Sequence, residues 1–150
     1  MAPRALLAAL FVLATAVPAR AGELVVRIHG LEAARGQVLV QLYSEAERVT
    51  FPYSERGVTA ELRLKAHALD APATDASIGF GNLAPGRYAI VVVDDENGNG
   101  DLDRNLLGIP TEGYGFSNGV RPTLRPPSFD EAALAVAASG TTLADITMRR

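Results

Sequence analysis

The sequence contains no cysteine, so disulfide bonds contribute nothing to its stability in any compartment. Lysine occurs once, at Lys65, and there is no basic cluster, which argues against nucleic acid and anionic membranes as partners. Only one long apolar run occurs, near the amino terminus, and no internal repeat is visible. These absences predict a globular protein of 150 residues that is stabilised by core burial, with or without help from a metal.

The apolar run has the layout of a secretory signal peptide. Arg4 supplies the basic start, residues 5–17 are predominantly apolar, and Ala19-Arg20-Ala21 fits the small-x-small cleavage rule. Thirteen residues are fewer than the roughly 20 that a membrane-spanning helix needs. We therefore predict that residues 1–21 are removed and that residues 22–150 form one exported domain, periplasmic or extracellular, without a membrane span. Loss of Arg4 and Arg20 would leave 12 basic and 17 acidic residues, a net charge of -5.

Short strands separated by turn signals dominate the rest of the chain. The strand candidates are residues 24–29, 37–43, 58–66, 77–80, 87–93 and 143–148. Residues 87–93 read RYAIVVV, which predicts a central buried strand. Residues 44–49 and the capping box from Ser128 to Glu131 predict short helical turns, the second followed by a strand. This pattern predicts a single all-β antiparallel sandwich, immunoglobulin-like, of about seven strands.

The most informative segment follows the central strand. Read from Asp95, it is D-x-N-x-N-G-x-L-D, the first nine positions of a calcium-binding loop, with Gly100 at the sixth position, where such loops turn. The twelfth position should supply a bidentate glutamate and is Leu106, so Glu112 is the candidate replacement. The predicted calcium ligands are Asp95, Asn97, Asn99, Asp101 through its backbone carbonyl, Asp103 and Glu112.

Other interpretations of this loop stay open. The two Asn-Gly pairs in residues 97–100 favour positive φ, so the segment can be a metal-free turn, and its acids can simply keep an edge soluble. An enzymatic alternative is a metal-dependent hydrolase that uses Asp95, Asp103 and Glu112. It lacks a second type of catalytic group. The G-x-S-x-G pattern around Ser117 lacks the strand and helix that a nucleophile elbow requires, so we favour a protein that is not an enzyme.

Residues 94–127 form one long irregular stretch, which is unusual inside a compact domain. Its acids and Asn-Gly pairs come first and its apolar residues after. We therefore expect Leu106, Ile109 and Phe116 to pack on the sandwich while the acidic tip stays at the surface. Tyr114 and Phe116 are expected to fold inward, because aromatic side chains gain most from burial; the alternative is an exposed platform for a sugar or peptide.

Two blocks of sequence resemble known families. Residues 80–90, FGNLAPGRYAI, resemble the F-x-x-L-x-P-G-x-Y signature of prealbumin-like β-sandwiches, which include carboxypeptidase-regulatory-like domains. The block DDENGNGDLDRNLLGIPTEGYGFSNG, from residue 94 onward, is similar to the bacterial exported family "domain of unknown function 2141". The resemblance covers residues 24–148 in layout and is close over residues 80–118. It implies a prealbumin-like sandwich and export, and no established activity.

Together, the residues and the resemblance predict an exported binding or structural module with a weak calcium site. Its partner would be a protein, peptide or glycan of unknown identity. A metal-dependent hydrolase and a metal-free interaction domain are the alternatives.

Overall fold

The computed structural model describes residues 21–31, 36–52, 60–65, 75–123 and 125–150. All but the last residue of the predicted signal peptide lie outside the described residues, as do both ends of the strand predicted at 58–66. The described strands are β1 Gly22–His29, β2 Gln37–Ser44, β3 Ala60–Lys65, β4 Asp75–Leu83, β5 Gly86–Asp95, β6 Gly113–Phe116, β7 Leu134–Val136 and β8 Thr141–Thr147. A short helix, α1 Phe129–Ala132, and two 3-10 turns, Glu45–Glu47 and Ser117–Gly119, complete the described elements.

The strands form two sheets, which confirms the predicted all-β sandwich. One sheet has the order β4-β1-β8, and the other has the order β3-β2-β5-β6, with β7 pairing along the first residues of β5. Every strand pair in the described residues is antiparallel except β1 with β8, which run parallel from Glu23 opposite Thr141 to His29 opposite Thr147. Because β7 belongs to the other sheet, the chain crosses between the sheets before β8. No helix in the described part of the chain is long and apolar enough to span a bilayer.

The main apolar core lies between the two sheets. Leu24, Val26 and Ile28 of β1 are fully buried because alternate side chains of a strand point to the same face. Their neighbours in this cluster from the facing sheet are Val40, Leu42, Ile90 and Val92. Each such side chain contributes about 1.5–3 kcal/mol when it is buried. The core therefore accounts for stability without disulfides.

A second apolar cluster covers the outer face of the five-stranded sheet. It contains the other alternate residues of β5, Ala89, Val91 and Val93, together with four buried rings from different parts of the chain, those of Tyr43, Phe51, Phe116 and Phe129. Phe51 lies at its centre, with ring centroids 6.2 Å from Phe116 and 6.1 Å from Phe129. Both faces of β5 are thus covered, which explains its nearly continuous apolar sequence and confirms the prediction of a central buried strand.

The stretch of residues 94–127 is less irregular than predicted, because it contains β6 and a 3-10 turn. The sequence hides this strand, since two of its four residues are glycine, which is depleted in strands. Gly115 is required by close packing between the sheets. A Cβ atom there would lie 2.6 Å from Ile146 Cγ2.

The packing predicted for this stretch is correct for the aromatic residues and wrong for the aliphatic ones. Phe116 is buried and Tyr114 is half-buried against the second cluster, with ring centroids 5.9 Å apart. Leu106 is fully exposed and Ile109 is 55% exposed. Both lie on a segment that forms hydrogen bonds within itself rather than with the sheets.

The two predicted helical turns are confirmed. Glu131 Oε2 accepts hydrogen bonds from both the backbone N–H and the hydroxyl of Ser128 at 2.7 Å, which starts α1. Glu47 Oε2 makes the same pair of contacts with Ser44 at the first 3-10 turn. The strand expected after the second turn is β7.

Candidate metal site

Asp95, the last residue of β5, anchors the acidic loop. Its side chain is fully buried, so the prediction that the acidic tip stays at the surface is wrong for this residue. Its Oδ1 atom accepts the backbone N–H groups of Gly98 and Asn99 at 2.8 and 3.1 Å, and Oδ2 accepts that of Gly100 at 2.8 Å. The side-chain amide of Gln37 donates to Oδ2 at 2.7 Å. These four donors replace the hydrogen bonds to water that the carboxylate loses when it is buried.

Asn97 and Asn99 carry the chain through two successive turns. The Oδ1 atom of Asn97 accepts the N–H of Asn99, and the Oδ1 atom of Asn99 accepts the N–H of Asp101, both at 2.9 Å. Such Asx turns let a side chain stand in for a backbone carbonyl. Gly98 and Gly100 have φ values of 74° and 90°, in the left-handed region that glycine adopts at low cost. The loop therefore has turn geometry that does not itself require a metal.

Asp103 and Glu112 close the loop at its other end. The two oxygens of Asp103 accept the side-chain amides of Asn97 and Asn99 at 2.6 and 2.9 Å. Glu112 accepts the backbone N–H of Asp103 on Oε2 at 3.0 Å and that of Glu96 on Oε1 at 2.9 Å. Its side chain is only 4% exposed. Glu112 thus folds back onto the loop, although its role as a metal ligand stays a prediction.

The carboxylates of the loop repel one another. Burial raises the pKa of Glu112, a hydrogen bond from the backbone of Asp103 partly offsets this, and repulsion from Asp103 and Asp95 raises the pKa again. The arginine ion pairs found among the described side chains are formed with Glu45, Asp130, Glu131 and Glu96, and none of these acids is one of the three carboxylates. The ion pair of Arg150 with Glu96 lies beside them and neutralises a different acid. The described hydrogen-bond donors to these carboxylates are all neutral backbone or side-chain amides.

Five of the six predicted ligands have side chains in one connected hydrogen-bonded cluster. They are Asp95, Asn97, Asn99, Asp103 and Glu112. Asp101 joins through its backbone N–H, while its side chain is exposed. No three acidic or histidine side chains in the described residues converge closely enough to hold a metal by themselves. A bound cation would therefore need the asparagine and backbone oxygens as well.

Sequence reasoning missed two residues at this site. Gln37 lies opposite Asp95 in the pairing of β2 with β5, which brings its amide to the buried carboxylate. Gly36, with φ of 76°, packs against the start of the loop, where a Cβ atom would lie 1.9 Å from the Asp95 carbonyl oxygen. Neither contact has a local signal, because strand pairing alone joins the two segments.

A small hairpin, residues 104–110, lies between the loop and β6. The backbone of Asn105 donates to Ile109 and accepts from Gly108, both at 2.9 Å, and the Asn105 side chain accepts from Leu107 and Ile109. Arg104 donates to the Gly108 carbonyl at 3.1 Å. These bonds order the segment and leave its aliphatic side chains exposed.

Ser117, in the G-x-S-x-G pattern, is a buried structural residue. Contrary to expectation, a strand (β6) does precede it, but a 3-10 turn rather than a helix follows. Its hydroxyl donates to the Ala132 carbonyl at 2.6 Å and accepts the Ile90 N–H at 2.8 Å. The side chain is fully buried, so it joins β5 to α1 and presents no nucleophile to solvent.

The fold and the site define the class: a β-sandwich protein with an acidic, hydrogen-bonded loop at the end of its central strand. The model of a family described as "uncharacterized protein conserved in bacteria (DUF2141)" matches residues 26–144, and the chain belongs to this family. The match confirms the membership that residues 94–119 indicate by resemblance. Neither a curated protein nor a solved structure gives a significant match to the chain.

Proposed function

We propose that this protein is an exported β-sandwich module that binds calcium weakly through its acidic loop and has a binding or structural role. The observation that carries the proposal is the position of Glu112. Its carboxylate holds the backbone of Glu96 and of Asp103, so a residue remote in sequence supplies negative charge at the loop. This is the contribution that the missing twelfth-position glutamate would otherwise make.

The charge balance of the cluster supports a cation. Asp95, Asp103 and Glu112 lie close enough that the two aspartates raise the pKa of Glu112, and the arginine ion pairs found among the described side chains involve other acids. Calcium prefers six to eight oxygen ligands, and a doubly charged ion would relieve the repulsion that raises the pKa of Glu112. The available oxygens are those of the three carboxylates, the two asparagine amides and the Asp101 carbonyl.

The affinity should be low. Both oxygens of Asp95 already accept two hydrogen bonds each, so calcium must share or displace them. Both oxygens of Asp103 accept asparagine amides that calcium would have to replace. We expect a dissociation constant of about 10⁻⁴–10⁻³ M, the range of extracellular modules.

Calorimetric titration of calcium into chelator-stripped residues 22–150 tests the site. Asp103→Ala should abolish the binding heat. Asp145→Ala is the matched control, because this exposed aspartate lies on β8 in the other sheet, against His29. Saturating calcium that changes neither the heat nor the melting temperature of the wild type would overturn calcium binding and favour the metal-free turn. Equal calcium binding by the wild type and by Asp103→Ala would show that calcium binds at another site.

Export rests on the sequence of residues 1–21. Mass spectrometry of the exported protein should give an amino terminus at or near Gly22. Recovery of the exported protein with Met1 intact would overturn this part of the proposal. The partner class remains a protein, peptide or glycan.

A further inference from the structure

A groove of about 760 Å³ crosses the outer face of the five-stranded sheet beside the acidic loop. Its floor comes from Leu39 and Gln41 of β2 and from Val91 and Val93 of β5. Tyr114 and Phe116 of β6 add aromatic surface, and the hairpin of residues 104–110 forms part of the wall. The volume falls within the roughly 300–1,000 Å³ of pockets that hold small molecules.

The hairpin wall presents apolar side chains in an ordered segment. Leu107 is 82% exposed and Ile109 is 55% exposed, and both line the groove. Their backbone N–H groups are held by the Asn105 side chain, so the two side chains are presented by a hydrogen-bonded turn rather than a loose tail. A ligand with an apolar body would cover them at little cost in backbone ordering.

Three polar side chains of the groove have at least one N–H or O–H group for which no acceptor occurs among the described side chains and backbone. Gln41 accepts the Tyr43 hydroxyl at 3.2 Å through its amide oxygen, and no acceptor for its amide nitrogen occurs among the described side chains. The Tyr114 hydroxyl has no hydrogen-bond partner there. The Arg104 guanidinium donates to the Gly108 carbonyl, and the ion pairs found among the described side chains do not include it. Apolar surface with a few unsatisfied donors is the pattern of a site for an amphipathic acceptor.

The charged groups that line the groove favour an anion. Arg104 is available, whereas Arg125 is held by a bidentate ion pair with Glu131 at 2.9 Å. Asp101 is the carboxylate among the lining residues, and because both Asp101 and Arg104 are exposed, solvent weakens its repulsion of a ligand anion as it weakens the attraction of Arg104. A guanidinium fork matches the geometry of a carboxylate and forms charge-assisted hydrogen bonds with it.

We propose that this groove binds a small amphipathic carboxylate. The apolar body lies over Val91, Val93 and the β6 rings, and the carboxylate lies against Arg104. The inference goes beyond calcium binding and does not depend on it, because the site uses side chains outside the acidic cluster.

The probe is octanoate, titrated in the presence of a chelator so that the calcium site plays no part. Amide chemical shifts in a ¹H–¹⁵N spectrum locate the site, and their concentration dependence gives the affinity. A ligand of this size should bind in about the millimolar range. Shifts should concentrate at residues 91–93 and 113–116. Octan-1-ol, which has the same chain without the charge, should bind at least several-fold more weakly.

Matched variants separate the role of the charge from that of the fold. Arg104→Gln should weaken octanoate binding about tenfold and leave octanol binding unchanged. Arg27→Gln is the control, because Arg27 lies on β1 in the other sheet. Shifts spread over other surfaces, equal binding of octanol and octanoate, or unchanged octanoate binding by Arg104→Gln would each overturn the proposal. Concentration-dependent dimerisation that shifts the same amides without ligand would also overturn it, because a second copy would then fill the groove.

Discussion

Two alanine substitutions, Phe116→Ala at the end of β6 and Leu106→Ala in the hairpin, test together what stabilises this domain. Phe116 is 8% exposed and contacts the rings of Phe51 and Tyr114, with centroids at 6.2 and 5.9 Å. Replacement of a buried phenylalanine by alanine removes apolar area and leaves a cavity, which costs about 3–5 kcal/mol. Leu106 is fully exposed, so Leu106→Ala should change stability by less than about 0.5 kcal/mol.

The assay is two-state unfolding of chelator-treated protein, followed by circular dichroism in guanidinium chloride and by heating. For a domain of this size, about 3–4 °C of melting temperature corresponds to 1 kcal/mol, so Phe116→Ala should lower it by about 10–20 °C. The denaturant slope should stay unchanged, since the same surface is exposed on unfolding. Equal losses for Phe116→Ala and Leu106→Ala would refute the separation between a packed strand and an exposed hairpin. So would a loss below about 1 kcal/mol for Phe116→Ala.

Further predictions concern Gly115, Asp95 and Glu131. Gly115→Ala should destabilise the domain by about 1–3 kcal/mol in chemical denaturation, because the new methyl group would lie 2.6 Å from Ile146. If the variant is as stable as the wild type, the two sheets can move apart at this point without cost. Asp95→Ala should lower the free energy of unfolding by about 2–3 kcal/mol in the absence of calcium, because four hydrogen-bond donors lose their acceptor. An unchanged denaturation midpoint in the presence of chelator would show that water satisfies these donors equally well. Arg125 and Ser128 lower the pKa of Glu131 to about 2, and Arg125→Gln should raise it towards 4.5, as carboxyl NMR titration would show. The pKa of Glu131 is lower in the folded state than in the unfolded state. The stabilisation of the fold by ionised Glu131 is therefore full above pH 4.5 and is lost as the pH falls towards 2. A Glu131 pKa near 4.5 in the wild-type protein would contradict its ion pair with Arg125.

The second apolar cluster gives the candidate sites a common base. It rests on the outer residues of β5, and β5 also ends in Asp95. The acidic loop, the hairpin and the groove therefore all begin from one strand that is buried on both faces. A strand held in this way keeps its carboxyl end in place, so the geometry of the loop does not depend on the loop alone.

Much of the architecture could be predicted because its signals are local. Alternating residues of β1 point to one buried face, β2 is an alternating run buried on both faces, and both strands lie within a residue or two of their predicted bounds. The Ser128 capping box starts a helical turn, since its contacts span only three residues. In contrast, β6 has glycine at alternate positions and gives no strand pattern, because its conformation is imposed by pairing with β5.

The features of the candidate site also divide into local ones, which the sequence shows, and others that depend on strand pairing. The spacing of oxygen side chains and the Asn-Gly turns are visible in the sequence, because hydrogen bonds between residues two to five apart shape the loop. The burial of Asp95, the amide of Gln37 and the return of Glu112 are not visible. They follow from strand register, which places Gln37 opposite Asp95 and Gly113 opposite Asp94.

The sequence by itself determined the all-β class, the family, the central strand and the residues of the acidic loop, because strand period, turn chemistry and family motifs are properties of short segments. Only the tertiary structure decided that β8 runs parallel to β1, that Asp95 is buried and that Leu106 stays in solvent. The physical reason is that each outcome depends on contacts between distant segments. Whether a side chain is buried depends on which parts of the other sheet, the hairpin and the segment that carries Glu112 cover it. A local sequence pattern holds no information on those contacts.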